Sequence, residues 1–142
     1  MHFYKVILLI LFVSMKAYAL TPPKYCPSVR AIETVGVSVA KQQDNSSAKW
    51  IVYNPSSPYD TDSLWTFVMA TDKNFDNEAE AIKFAREDMS SLQPFGGVNP
   101  DNKNSKFYCI YLSNNFWAVA VSPAKDPQAA LSSILSLHFK HK

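Results

Sequence analysis

Glycine is scarce in this sequence: Gly36, Gly96 and Gly97 are the only three in 142 residues. No glycine-rich loop joins a strand to a helix, which excludes the usual phosphate cradles. Histidine is scarce too, with three in the chain. His138 and His141 fall beside the C-terminus, a poor place to hold a general base in fixed geometry. No G-x-S-x-G elbow is present, and Ser132-Ser133 reads as the wet face of a helix. No apolar run reaches the roughly 20 residues of a spanning helix. Charge of one sign is also lacking, with 14 basic residues against 12 acidic. That balance gives no reason to expect nucleic acid as partner. No catalytic residue is assigned, and the chain reads as a non-enzyme.

What is present begins with a leader. Met1 to Lys5 carries one positive charge, Val6 to Val13 is apolar throughout, and Ala17-Tyr18-Ala19 is an A-x-A pattern. Charged, apolar and small-residue regions in that order describe a secretory signal peptide. Lys16 interrupts the run too early for a transmembrane helix. Cleavage after Ala19 would remove Lys5 and Lys16, leaving 12 basic residues against 12 acidic. The reading is a signal peptide over 1–19 and one exported α+β domain over 20–142. It is periplasmic or secreted and has no stable membrane anchor.

Cysteine is limited to Cys26 and Cys109. Pro23-Lys24-Tyr25 before Cys26 is not a lipid-attachment motif. An even pair in an exported chain reads as a disulfide.

Hydrophobic periodicity organises the rest. Cys26-Pro27-Ser28 opens a short helix to Thr34. Val35, Val37 and Val39 alternate as a strand over 35–40. Residues 50–53 and 64–70 are further strands, the latter apolar on both faces and so central. Asn54 to Asp62 is turn chemistry around Pro55 and Pro58. Phe75 to Leu92 has helical spacing, with Asp76, Glu78 and Glu80 crowding its start. Pro94, Gly96 and Gly97 stop it, and residues 94–106 read as a polar loop. Residues 107–112 and 116–121 form a hairpin across Ser113-Asn114-Asn115. Asp126-Pro127 opens a last helix running to about residue 139. The expected order is α-β-β-β-α-β-β-α: a five-stranded, mainly antiparallel sheet with helices mostly on one face.

Three constellations bear on chemistry. Asp60-Thr-Asp62 and Asp72-Lys-Asn74-Phe-Asp76 start like calcium loops but lack the glycine and the closing glutamate, so no metal site is assigned. His138-Phe-Lys-His141 would place two rings on one helix face, able to share a metal or to offer a haem ligand. Solvated cations near a helix C-terminus are the plainer account. Trp50, Trp65, Tyr108, Tyr111, Phe116 and Trp117 all fall on strands. A contiguous aromatic patch on an uncovered sheet face would mark a binding surface, and an ordinary core is the commoner fate.

Cys26-Pro-Ser, Val35-Gly-Val37, Trp65-Thr-Phe-Val68 and Ala118-Val-Ala-Val-Ser-Pro123 resemble a family of small secreted proteins of intracellular gammaproteobacteria. The family is one of unknown function that includes a haemin-binding member. The resemblance implies bacterial export and makes haemin a candidate ligand; it implies no catalysis and transfers no residue role. The expectation is therefore a small binding protein for haemin or another flat apolar molecule. Candidate contacts are His138, His141, Tyr108, Tyr111, Trp65 and Trp117, with haem the one cofactor in view. The alternative is a protein-interaction module, an inhibitor or host-directed factor, using an exposed sheet face or the 94–106 loop. Mass spectrometry of the exported protein should read a chain starting at Leu20 and about two daltons lighter than its dithiol form; retention of the leader would overturn the export reading.

Overall fold

A computed structural model describes residues 22–44, 48–101 and 105–131 of the chain. Ser28 caps the first helix, α1 (Val29–Val35), its hydroxyl accepting from Ala31 N at 3.1 Å. Gly36 ends the helix at φ 73° and donates its N–H to Ile32 O at 2.8 Å. That left-handed turn suits glycine and costs other residues strain. The alternating valines therefore split between two elements: Val35 closes α1 and Val39 opens β1 (Val39–Gln42).

Strands β2 (Trp50–Ser57) and β3 (Trp65–Thr71) follow. The second long element, α2 (Glu78–Asp88), is capped by Asn77, whose Oδ1 accepts from Glu80 N at 2.9 Å. Glu80 Oε2 reaches back to accept from Asp76 N at 2.9 Å, so two orphan donors are satisfied reciprocally. A 3-10 turn at Met89–Ser91 leads into β4 (Gln93–Asp101), then β5 (Lys106–Leu112) and β6 (Trp117–Ser122). Residues 127–131 are helical again.

The sheet has six strands, ordered β1-β2-β3-β6-β5-β4, and every pairing is antiparallel. This corrects the five-stranded expectation and its element order. The missed strand is β4, within the stretch read as a loop because it holds Pro94, Gly96, Gly97 and Pro100. At a sheet edge only one side needs a hydrogen-bonded partner, so proline is tolerated there. The register shifts between Phe95 and Asn99, and Gly96 takes φ 84° in that bulge. The chain is thus a helix and a three-strand meander, made twice, with the two meanders joined where β3 meets β6.

Helical cover is uneven, with α1, α2 and the 3-10 turn on one face and residues 127–131 on the other. On one, Ala31, Ile32, Ala81, Ala85 and Met89 of α1, α2 and the 3-10 turn pack on Trp50, Val52, Phe67, Met69, Ala118 and Ala120. Arg86 Nε donates to Val37 O at 3.0 Å and ties α2 to the approach to β1. On the other face Ala130 and Leu131 join Ile51, Val68, Val119 and Val121. The Cys26–Cys109 disulfide forms as expected, with Cα atoms 5.9 Å apart across 83 residues of chain.

Asp88, at the end of α2, fixes the β5–β6 turn. Its carboxylate accepts from the Ser113 hydroxyl, from Asn115 N at 3.0 Å and from Asn115 Nδ2 at 2.6 Å. Ser91 Oγ accepts from Asn114 N at 2.9 Å beside it. Replacing this carboxylate would leave those half-buried donors short of an acceptor. Asp88→Ala should lower unfolding free energy by about 1–3 kcal/mol in urea titration, and Asp88→Asn by less; equal stability of Asp88→Ala and the parent would refute the clamp.

Candidate functional site

Strand parity sorts the sequence-derived candidates. Trp65 and Tyr111 lie on the face covered by α1 and α2 and are fully buried. Trp65 Nε1 donates to Thr61 Oγ1 at 2.9 Å. The Tyr111 hydroxyl donates to Pro27 O, and its ring meets Phe67 edge-on at 5.9 Å. Both aromatics are satisfied core residues with no open side. Trp50 and Phe116 are buried on the same face. His138 and His141 lie outside the described residues.

Tyr108 and Trp117 occupy the opposite face and are half-buried. Register places three further apolar side chains beside them. Phe95 is opposite Ile110, which is opposite Val119; Leu112 is opposite Trp117; Tyr108 is opposite Val121. Cross-strand partners share a face, so Phe95, Tyr108, Ile110, Leu112 and Trp117 form one contiguous patch. Phe95 is 62% exposed and Leu112 42%. The patch runs into a cleft of about 270 Å³ between β4 and the β5–β6 turn, with Phe95, Leu112, Gln93 and Asn114 in its walls.

The sheet face thus brings two of the six candidates together and separates them from two others. Phe95 escaped sequence reasoning because its strand did. A large aromatic set among proline and glycine was the available signal, since a wet loop has no need of phenylalanine.

A second concavity, about 400 Å³, lies beside the disulfide. Lys24, Tyr25, Cys26 and Ser28 form one wall, and Tyr59, Asp60, Thr61 and Asp62 the other. Tyr59 is 2% exposed and its hydroxyl has no hydrogen-bond partner. Among the described residues Trp50 Nε1 is the other buried side-chain polar atom in that condition. Tyr59 and Asp60 hold φ values of 46° and 58°, a left-handed pair that side chains rarely adopt.

Among the described residues no three His, Cys, Asp or Glu side chains gather to hold a metal ion, and no helix is long and apolar enough to cross a membrane. Comparison with protein-family models, curated proteins and solved structures finds no match.

Burial pushes the phenols of Tyr59 and Tyr111 well above their ordinary value, and for Tyr111 the neighbouring Tyr59 adds to the shift. An acid whose folded pKa is raised contributes stability below its unfolded pKa, and that contribution is lost as pH climbs. Unfolding free energy should fall from about pH 10 upward, by up to about 1.4 kcal/mol per pH unit for each of the two tyrosines. Absorbance titration of phenolate should show both ionising only with unfolding; ordinary titration of either in the folded protein would contradict its burial.

Proposed function

We propose that this chain is a small exported binding protein without catalytic activity, and that its binding surface is the patch of Phe95, Tyr108, Ile110, Leu112 and Trp117. The observation that carries this reading is the exposure of Phe95 and Leu112, 62% and 42%, beside half-buried aromatics on one sheet face. Contiguous exposed apolar surface of this kind marks binding sites in folded proteins. Export is supported by the Cys26–Cys109 bridge, since such bonds persist in oxidising compartments.

The occupant is haemin or another flat apolar molecule. A planar ligand matches a pleated face, and its edge enters the adjoining cleft of about 270 Å³. Tyr108 is the phenol of the patch, and tyrosine oxygen is a known axial ligand of ferric haem. Haemin is named because of the family resemblance carried by Cys26-Pro-Ser and the other short motifs.

A protein partner is the second reading, favoured by the flatness of the patch and its place beside an edge strand. Pro94 and Pro100 remove two ladder donors from β4, so such a partner would dock through side chains rather than by strand addition.

Titration with haemin tests the first reading. A saturable Soret shift at micromolar haemin is expected. Phe95→Ser with Leu112→Ser should weaken it about tenfold or more, as two apolar contacts are lost. Tyr108→Phe should move the Soret band with a smaller loss of affinity. Absence of saturation would remove haemin and leave the patch to a protein partner.

A further inference from the structure

The sheet-face patch is apolar along its length and carries charge at one end only. Lys106, Tyr108, Ile110 and Leu112 alternate along β5 and so stand in one row on that face. At about 3.3 Å per residue the row is about 20 Å long. Its Leu112 end opens into the cleft of about 270 Å³. Every wall residue of that cleft, from Ser91 and Gln93 through Phe95 to Leu112 and Asn114, is uncharged. An ionic group at this end of a ligand would find no counter-charge.

The other end differs. Lys106 is buried and stands opposite Asp101. Lys125 is exposed, and its backbone N–H donates to the Thr66 hydroxyl at 2.9 Å. Thr66 is opposite Val121, and Val121 is opposite Tyr108, so Lys125 lies at the Lys106 end of the row. Burial holds the Lys106 ammonium below its ordinary pKa; Asp101 opposes that shift and Lys125 adds to it. Among these three groups one positive charge is in excess. Asp126, the next carboxylate along the chain, accepts from Gln128 N at 3.0 Å. Two ammoniums close together beside an apolar surface destabilise each other, and an anion brought to them lowers that cost.

We propose that the sheet-face site selects a flat apolar molecule bearing a carboxylate at one end, and that it binds this molecule in one direction. The inference rests on the reading of the patch as the binding surface and adds the charge and orientation of the occupant. The carboxylate meets the exposed Lys125 ammonium, with the charge of Lys106 behind it. The apolar body lies over Tyr108 and Ile110, and its far edge enters the uncharged cleft beside Phe95 and Leu112. A cationic molecule of the same shape gains the same apolar contact but meets like charge at the Lys106 end. Apolar burial thus supplies affinity, and the lysine end supplies the choice among ligands.

1-Pyrenebutyrate and 1-pyrenebutylammonium share a flat ring system and differ in charge, so they test the inference directly. Pyrene fluorescence reads binding of each, and backbone amide chemical shifts locate it. Both should shift residues 93–95, 108–112 and 117, and the acid should bind at least about tenfold more tightly. High salt should narrow that gap. Lys125→Gln should weaken the acid about threefold and leave the amine no weaker. Lys125→Glu, a change at an exposed position, should reverse the preference. Phe95→Ser with Leu112→Ser should weaken both probes alike, since they lose the contact the two share. Equal affinity for acid and amine, with both shifting the patch, would overturn the carboxylate and leave the patch as a binding surface. Shifts of the patch with neither probe would overturn the inference and the flat-ligand reading together.

Discussion

β3 and β6 pair along the centre of the sheet, from Thr66 opposite Val121 to Ala70 opposite Trp117. All seven residues of β3 are buried, as are all of β6 except Trp117. Two strands with no wet side need apolar cover above and below, and the layers follow from that need. On one face Ala118 and Ala120 are small and Trp65, Phe67 and Met69 are large, so small and large side chains share the space under α1 and α2. On the other, Val68, Val119 and Val121 meet Ala130 and Leu131. Each meander fans outward from this seam, and burial declines toward the edges. β4 is two strands away from β6, and most of it is exposed. The exposed patch is thus a consequence of the centre being covered first.

Residues whose local pattern matched their environment were legible in the sequence. β3 is apolar on both faces and central; the acidic start of α2 is a capped N-terminus; the two cysteines form one bridge. What was hidden depended on position in the sheet. Gln93 to Asp101 has the composition of a loop, and only its place at an edge makes it a strand. Val35, Val37 and Val39 alternate as a strand would, yet Gly36 divides them by ending a helix. The faces of Tyr108 and Tyr111 were implicit in strand parity, but which face was closed depended on helices whose packing no local pattern records. Of the candidate patch, Tyr108 and Trp117 were visible as aromatics, while Phe95 and Leu112 needed the register.

Tyr59 and Tyr111 show how the same burial can serve different ends. Their rings meet Phe67 from two sides, and both hydroxyls are withdrawn from water. Tyr111 donates to Pro27 O and so holds the segment ahead of α1 against β5. The disulfide between Cys26 and Cys109 holds the same segment to the same strand. A crosslink closing 83 residues contributes on the order of 4–5 kcal/mol in the chain-entropy picture. With so firm an anchor, the hydroxyl of Tyr111 is a structural bond among others, and the hydroxyl of Tyr59 has no such role.

That contrast bears on why a fold would keep Tyr59 in an uncomfortable turn. Pro58 and Thr61 close the turn by a backbone hydrogen bond of 2.8 Å, and Thr61 Oγ1 accepts from Trp65 Nε1. The turn is therefore fastened at both ends to the buried start of β3. Strain in a segment held this firmly cannot relax by local rearrangement, and it persists only because the surrounding contacts over-determine the backbone. The anchored segment ahead of α1 forms one wall of the cleft and the anchored turn the other. The Tyr59 hydroxyl is sealed in the core cluster with Phe67 and Tyr111, so its missing hydrogen bond is a cost the fold carries inside rather than on its surface.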